Sequence, residues 1–151
     1  MALRQAPEVA VPRMEEILHG GGMCRLQVTG TSMVPFLRSE KDAVILKAFD
    51  NRVKRGDLLL YRRKNGQYIL HRVHKLRDDG TYLLCGDNQT VLEPVEPGQV
   101  IAAIAAIERK GQQFPPENLL WRVLSGIWMG LFFMRPLLLK IIHGLWKILK
   151  G

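Results

Sequence analysis

The chain has 151 residues, 47% apolar and 24% charged, about the length of one domain and too hydrophobic for a disordered segment. Two cysteines, Cys24 and Cys85, exclude a disulfide framework and a four-thiolate zinc site, and collagen, coiled-coil and repeat architectures fall because no long period recurs. The net charge of +8 calls for an anionic partner, either phospholipid headgroups or nucleic acid.

Residues 1–13 carry Arg4, Pro7, Glu8 and Pro12 and lack the apolar run of a secretory signal. The body of the chain is therefore expected to stay on the side of the membrane where it is made. Pro12 followed by 13–19 and then Gly20-Gly21-Gly22 predicts a short helix ending in a glycine joint.

From Cys24 the period changes to two. Segments 24–29, 43–48, 57–62, 67–76, 81–85 and 100–108 are rich in Val, Ile, Leu and Tyr and read as strands. Asn65-Gly66 and Asp79-Gly80 are hairpin signals between them. This spacing predicts a mainly β fold, an antiparallel and partly barrel-like domain over 23–110.

Residues 111–118, with Pro115-Pro116, read as a linker, and 119–151 as a helical tail. From Pro116 to Gly151 the chain holds Arg122, Arg135, Lys140, Lys147 and Lys150 against one acid, Glu117, which is half of the net charge. Helices are expected at 119–134 and 137–150, broken at Arg135-Pro136. In the second, Lys140, His143, Lys147 and Lys150 form one stripe opposite Leu138, Ile141, Ile142 and Leu145, an amphipathic helix with a basic face. The longest stretch without charge, 123–134, has twelve residues, too few for the roughly 20 that a span needs. Bulk aliphatics and Trp121, Trp128 and Trp146 among the lysines favour an anionic lipid surface, with Trp121, Trp128, Lys140, Trp146, Lys147 and Lys150 as its contacts. The other reading packs these helices on the β domain or on a second copy of the chain. Nucleic acid has no motif behind it.

Three patches carry candidate chemistry. Gly30-Thr31-Ser32-Met33-Val34-Pro35 exposes a hydroxyl on a tight turn after a strand. His71 shares a strand face with Ile69 and Val73, while His74 points to the other face. Gly86-Asp87-Asn88 follows a strand and is succeeded by Glu93. Each alone is ordinary: a turn serine caps locally, and a histidine among apolar residues is more often a satisfied core side chain.

Taken together, with 53–61 (Val-Lys-Arg-Gly-Asp-Leu-Leu-Leu-Tyr) and Leu70-His71-Arg72-Val73, the blocks run in an order that resembles the signal peptidase I family. The likeness is to its archaeal and endoplasmic-reticulum branch, where histidine replaces the bacterial lysine. It covers roughly 26–110. The resemblance implies a serine peptidase without metal or cofactor. Ser32 would be the nucleophile, His71 the general base and Asp87 the acid that fixes the His71 tautomer. Glu93 stands near the family's second acid, with one methylene more. The Ser32 backbone N–H would serve as an oxyanion donor, a contact worth roughly 3–4 kcal/mol in hydrolases. Gly30 occupies a position where many members carry a supporting serine, and Gly30, Thr31 and Met33 are the remaining candidates for support. The family's N-terminal span has no counterpart here, so the site is expected at the cytoplasmic face of a membrane, peripheral or monotopic. A peptide or precursor protein is the expected substrate, cut after small residues as the family does. Two other readings stay open: a LexA-like self-cleaving protein, which would pair serine with lysine, and a catalytically silent peptide-binding module at the membrane.

Overall fold

The computed structural model describes residues 7–151, with side chains from 13 onward. Residues 1–6, part of the stretch read above as lacking a signal, lie outside it. Helix α1 (Pro7–His19) leads into β1 (Cys24–Gln27), β2 (Asp42–Ala48), β3 (Leu58–Arg62), β4 (Tyr68–Leu76), β5 (Tyr82–Cys85), β6 (Glu93–Val95), β7 (Val100–Arg109) and β8 (Gln112–Phe114). Helices α2 (Leu119–Gly130) and α3 (Arg135–Lys150) follow. The fold is the mainly β, antiparallel one that the alternating pattern predicts.

All pairings are antiparallel, in the order β1-β2-β7-β3-β4-β5-β6, with β8 beside β7. The long strand β7 meets β2 along one edge. Along the other it meets β3 at Val100–Ala103 and then β8 at Ile107–Arg109. Alternation sends residues of β3 and β4 to two separate cores. Leu58, Leu60 and Leu70 join Met14, Leu18, Met33, Leu37, Val44, Leu46, Ile107 and Trp121 in one. Leu59, Tyr61, Ile69 and Val73 join Tyr82, Leu84 and Val95 in the other.

Three elements depart from expectation. Residues 112–114 of the supposed linker form β8, and Glu93–Val95 forms β6; both are three-residue edge strands, too short to show alternation. The helix break falls at Leu131, ahead of a 3-10 turn at Phe132–Met134, and Arg135-Pro136 open α3 instead of ending α2. Proline in a first helical turn sacrifices no hydrogen bond.

The third departure concerns the tail. Helix α2 is capped by Asn118, whose side chain accepts from the Trp121 N–H at 3.1 Å, and it plugs Trp121 into the first core. There the indole meets Phe36 edge-on at 5.4 Å and Phe114 at 5.4 Å. Helix α2 thus contributes a core side chain from beyond the boundary read at 118.

Candidate active site

Ser32 sits in a turn between β1 and β2 that is tied down on both flanks. Gly30 takes φ +74°, a left-handed conformation suited to glycine. Past the serine, the Leu37 N–H donates to the Met33 carbonyl at 2.9 Å, and Met33 and Leu37 are fully buried in the first core. Met33 is therefore an anchor of the turn, and Thr31 is exposed. At the far end, buried Asp42 accepts from the Arg38 N–H and is gripped by the Arg38 and Arg109 guanidiniums. Burial alone would raise the Asp42 pKa; the hydrogen bonds from Arg109 and Arg38 outweigh it and hold the carboxylate ionised. Nothing in the sequence singled out Asp42, because one of its two arginine partners, Arg109, lies 67 positions away.

His71 lies mid-strand in β4 opposite Leu59 of β3, on the face of the second core, as the alternation predicts. It is 2% exposed. Burial, aided by the positive charge of Arg63, pushes its pKa down to about 2, so the imidazole is neutral. Its Nδ1 lies 3.2 Å from the Tyr61 hydroxyl. His74 does face the other way, against Phe132 at 5.1 Å between ring centres.

The Gly-Asp-Asn turn after β5 brings serine and histidine together. The Asn88 N–H donates to the Ser32 carbonyl at 2.8 Å. A methyl placed on Gly86 would stand 2.5 Å from the Ser32 carbonyl oxygen and 3.0 Å from His71 Nε2. Ser32 Oγ and His71 Nε2 are both buried and make no hydrogen bond among the described residues. The Ser32 backbone and the imidazole thus border the same glycine.

Asp87, the acid that the resemblance implies for His71, is engaged by Arg72 in this structure. Its carboxylate receives two hydrogen bonds from Arg72, at 2.9 and 2.8 Å, and both side chains are wholly buried. Arg72 follows His71 on β4 and so points to the opposite face, toward Phe36 and Trp121, where it also donates to the Gly56 carbonyl at 3.0 Å. An acid paired bidentately with Arg72 leaves the tautomer of His71 to another group. Glu93 is bound by Arg63 at 2.7 and 2.9 Å. It lines a groove of about 510 Å³ with Arg63, Gln89, Thr90, Val91, Leu92 and Pro94, beside the Gly-Asp-Asn turn.

The C-terminal helices clamp that turn from behind. Trp128 Nε1 donates to the Asp87 carbonyl at 2.8 Å. Buried Arg135 donates to the Gln89 carbonyl at 3.2 Å and the Trp128 carbonyl at 3.2 Å, with its planar head near the Trp128 and Phe132 rings. Trp121 and Trp128, read from the sequence as lipid contacts, lie here in the first core and, half-buried, against the Asp87 carbonyl. Lys140, Trp146, Lys147 and Lys150 are exposed. Both cysteines are free, and burial lifts the Cys85 thiol to about 11, which leaves it inert near neutrality.

The family model of Peptidase S24-like matches residues 2–107, more than half of the chain and all of the residues that form the Ser32–His71 junction. No curated protein matches.

Proposed function

The chain belongs to the Peptidase S24-like family, and from that premise we propose that it is a serine endopeptidase of signal peptidase I-like type, acting on a peptide or precursor protein at a membrane surface. One observation carries the reading: a buried serine hydroxyl and a neutral, buried imidazole nitrogen, neither with a partner among the described residues, belong to two residues that both border Gly86. Core polar atoms are normally satisfied, so an unpaired donor and an unpaired acceptor on such neighbours point to a third participant, the scissile peptide.

In this mechanism Ser32 Oγ attacks the carbonyl carbon as its proton passes to His71 Nε2. The tetrahedral oxyanion is held by the Ser32 backbone N–H. Collapse of the intermediate breaks the C–N bond, and the imidazolium returns the proton to the departing amine. Water repeats the sequence on the acyl-enzyme. The groove along Gln89–Pro94, which follows the Gly-Asp-Asn turn, receives the substrate.

Among the described residues no single helix is long and apolar enough to cross a membrane; α2 and 132–150 form a pair bent by 60°. The membrane role therefore rests on a surface. Leu137, Ile141, Leu145, Trp146, Ile148 and Leu149 of α3 are each more than half exposed, next to the basic stripe Lys140, Lys147 and Lys150. That combination suits shallow insertion into an anionic interface. It supports a peripheral or monotopic seat.

The family also contains the second reading, self-cleavage, with Gly20–Gly22 as the accessible segment. One experiment addresses both. Wild type and Ser32→Ala are incubated with a diverse peptide pool and anionic liposomes, and new termini and the intact protein mass are read by mass spectrometry. Cuts made by wild type alone are expected, with the enzyme's own mass constant. Identical pool profiles overturn the endopeptidase reading, and Ser32-dependent loss of the N-terminal segment replaces it with self-cleavage.

A further inference from the structure

A serine–histidine pair works only if the imidazole offers a bare Nε2 to the hydroxyl, which requires the ring proton to sit on Nδ1. Carboxylates usually enforce that tautomer. Here Asp87 is held by Arg72 on the other face of the sheet, and the atom at Nδ1 is the Tyr61 hydroxyl, 3.2 Å away. Tyr61 and His71 are diagonal neighbours on β3 and β4, since Tyr61 pairs with Ile69 and Leu59 with His71. They share one face, and their rings meet edge-on with centres 6.0 Å apart. Tyr61 is wholly buried.

Behind the phenol stands the ion pair of the neighbouring segments. Arg63 Nε donates to both oxygens of Glu93, at 3.2 and 2.9 Å, and Nη2 to one of them at 2.7 Å. This grip keeps Glu93 an anion that can only accept hydrogen bonds. Burial and the Glu93 charge raise the Tyr61 pKa against the opposing charge of Arg63, so the phenol keeps its proton.

Two proton arrangements fit the Tyr61–His71 contact. If the phenol donates to Nδ1, its oxygen turns lone pairs toward the Glu93 anion, and the ring proton moves to Nε2, where the base is needed. If instead Nδ1–H donates to the phenol oxygen and the phenol O–H is directed to Glu93, each proton has an acceptor and Nε2 is bare. The second arrangement is the one the charges favour.

We propose that Tyr61 is the positioning residue for His71, accepting the Nδ1–H and passing its own O–H to the Arg63-bound Glu93. The inference rests on the reading of His71 as the base for Ser32. It moves the supporting acid from Asp87 to Glu93 and makes it act at one remove. No proton crosses the relay during turnover: Nε2 takes the serine proton and gives it to the leaving amine, while Tyr61 and Glu93 keep their protonation.

The test reads the tautomer directly and does not depend on turnover. Long-range ¹H–¹⁵N correlation on the uniformly ¹⁵N-labelled full chain at pH 7.5 identifies which His71 nitrogen is protonated, with His71→Gln supplying the assignment. Wild type is expected in the Nδ1–H form, and Tyr61→Phe and Glu93→Gln are expected to shift toward Nε2–H or a mixture. On a substrate found by the peptide pool, Tyr61→Phe should lower kcat roughly tenfold to a hundredfold with KM little changed, the scale of losing an orienting contact behind a catalytic group. A wild-type Nε2–H form, or a tautomer unmoved in Tyr61→Phe, overturns the proposal. Glu93→Gln alters a partly exposed side chain, so it keeps the test decisive if the phenylalanine variant fails to fold. An Nδ1–H tautomer in a protein that cleaves nothing would count against the peptidase reading and leave the relay standing.

Discussion

Gly86 shows how little space separates serine from histidine. An alanine methyl there would press to 2.5 Å from a backbone oxygen, which cannot swing aside as a side-chain end can, and to 3.0 Å from His71 Nε2 and Gln89 Oε1. Gly86→Ala should therefore cost about 1–3 kcal/mol of stability through overpacking and lower cleavage at least 10²-fold, roughly the effect of a 1 Å misplacement of reacting groups. Melting curves with a cleavage assay check this; wild-type activity in the variant would mean that the turn can retreat. The two buried histidines make a second prediction at this scale. Burial lowers His71 to about 2 and His74 to about 4, the latter helped by Arg135, Arg72 and Arg55. Both folded values lie below the usual 6.5 or so. Between them and that value the unfolded chain binds more protons than the native one, so stability rises with pH in this window. It is fully present above about pH 6.5 and falls as acid is added, with a limiting slope near 1.4 kcal/mol per pH unit for each histidine. Denaturant titrations from pH 7 to 4.5 should show the loss before the carboxylates protonate, and His74→Gln should flatten it. A flat profile in the wild type would mean that the imidazoles are not sealed from water.

At the level of elements, parity along β4 decides which acid serves which base. His71 and Arg72 are consecutive, so they face opposite sides, and an acid lodged with Arg72 is removed from His71. The alternation was readable in Ile69-Leu70-His71-Arg72-Val73. The side on which Asp87 lands was not, because it depends on how the turn after β5 folds back and on the Trp128 and Arg135 bonds that hold it. Tyr61 was quoted within a strand-like block, yet its contact with His71 depends on hairpin register. That register is set by a turn in which the Arg63 N–H donates to the Gln67 carbonyl at 2.8 Å and Gly66 takes φ +89°. Asn65-Gly66 announces the hairpin; a slip of one residue would still have sent Tyr61 to the opposite face. Serine and histidine were legible as members of a motif, and the strands as alternating runs. Asp42, the Trp128 clamp and the Tyr61–Glu93 relay join residues 41, 32 and more positions apart, a scale at which no local pattern survives.

Across the whole molecule, charge and apolar surface gather at the end of the chain, while α2 holds the Gly-Asp-Asn turn that touches Ser32. Removing 121–151 would not isolate a membrane anchor, since it would strip Trp121 from the core and Trp128 and Arg135 from the active-site turn. The membrane seat is better tested on the outer surface of α3, where only Arg135 and Leu139 are buried. Each lysine close to an anionic leaflet contributes about 1 kcal/mol. Reversing Lys140, Lys147 and Lys150 to glutamate should therefore weaken partitioning onto vesicles of mixed neutral and anionic lipid by at least two orders of magnitude. The melting temperature should hold, because the three side chains are exposed. Binding by wild type should fade as salt rises past a Debye length shorter than the lysine–headgroup separation. Co-sedimentation across a salt series, with neutral vesicles in parallel, gives the answer. Equal binding to neutral and anionic vesicles would assign the attachment to the apolar residues alone. No binding to either, together with self-association at rising concentration, would give the exposed face of α3 to a second copy of the chain, and the serine would then be expected to meet its substrate away from lipid.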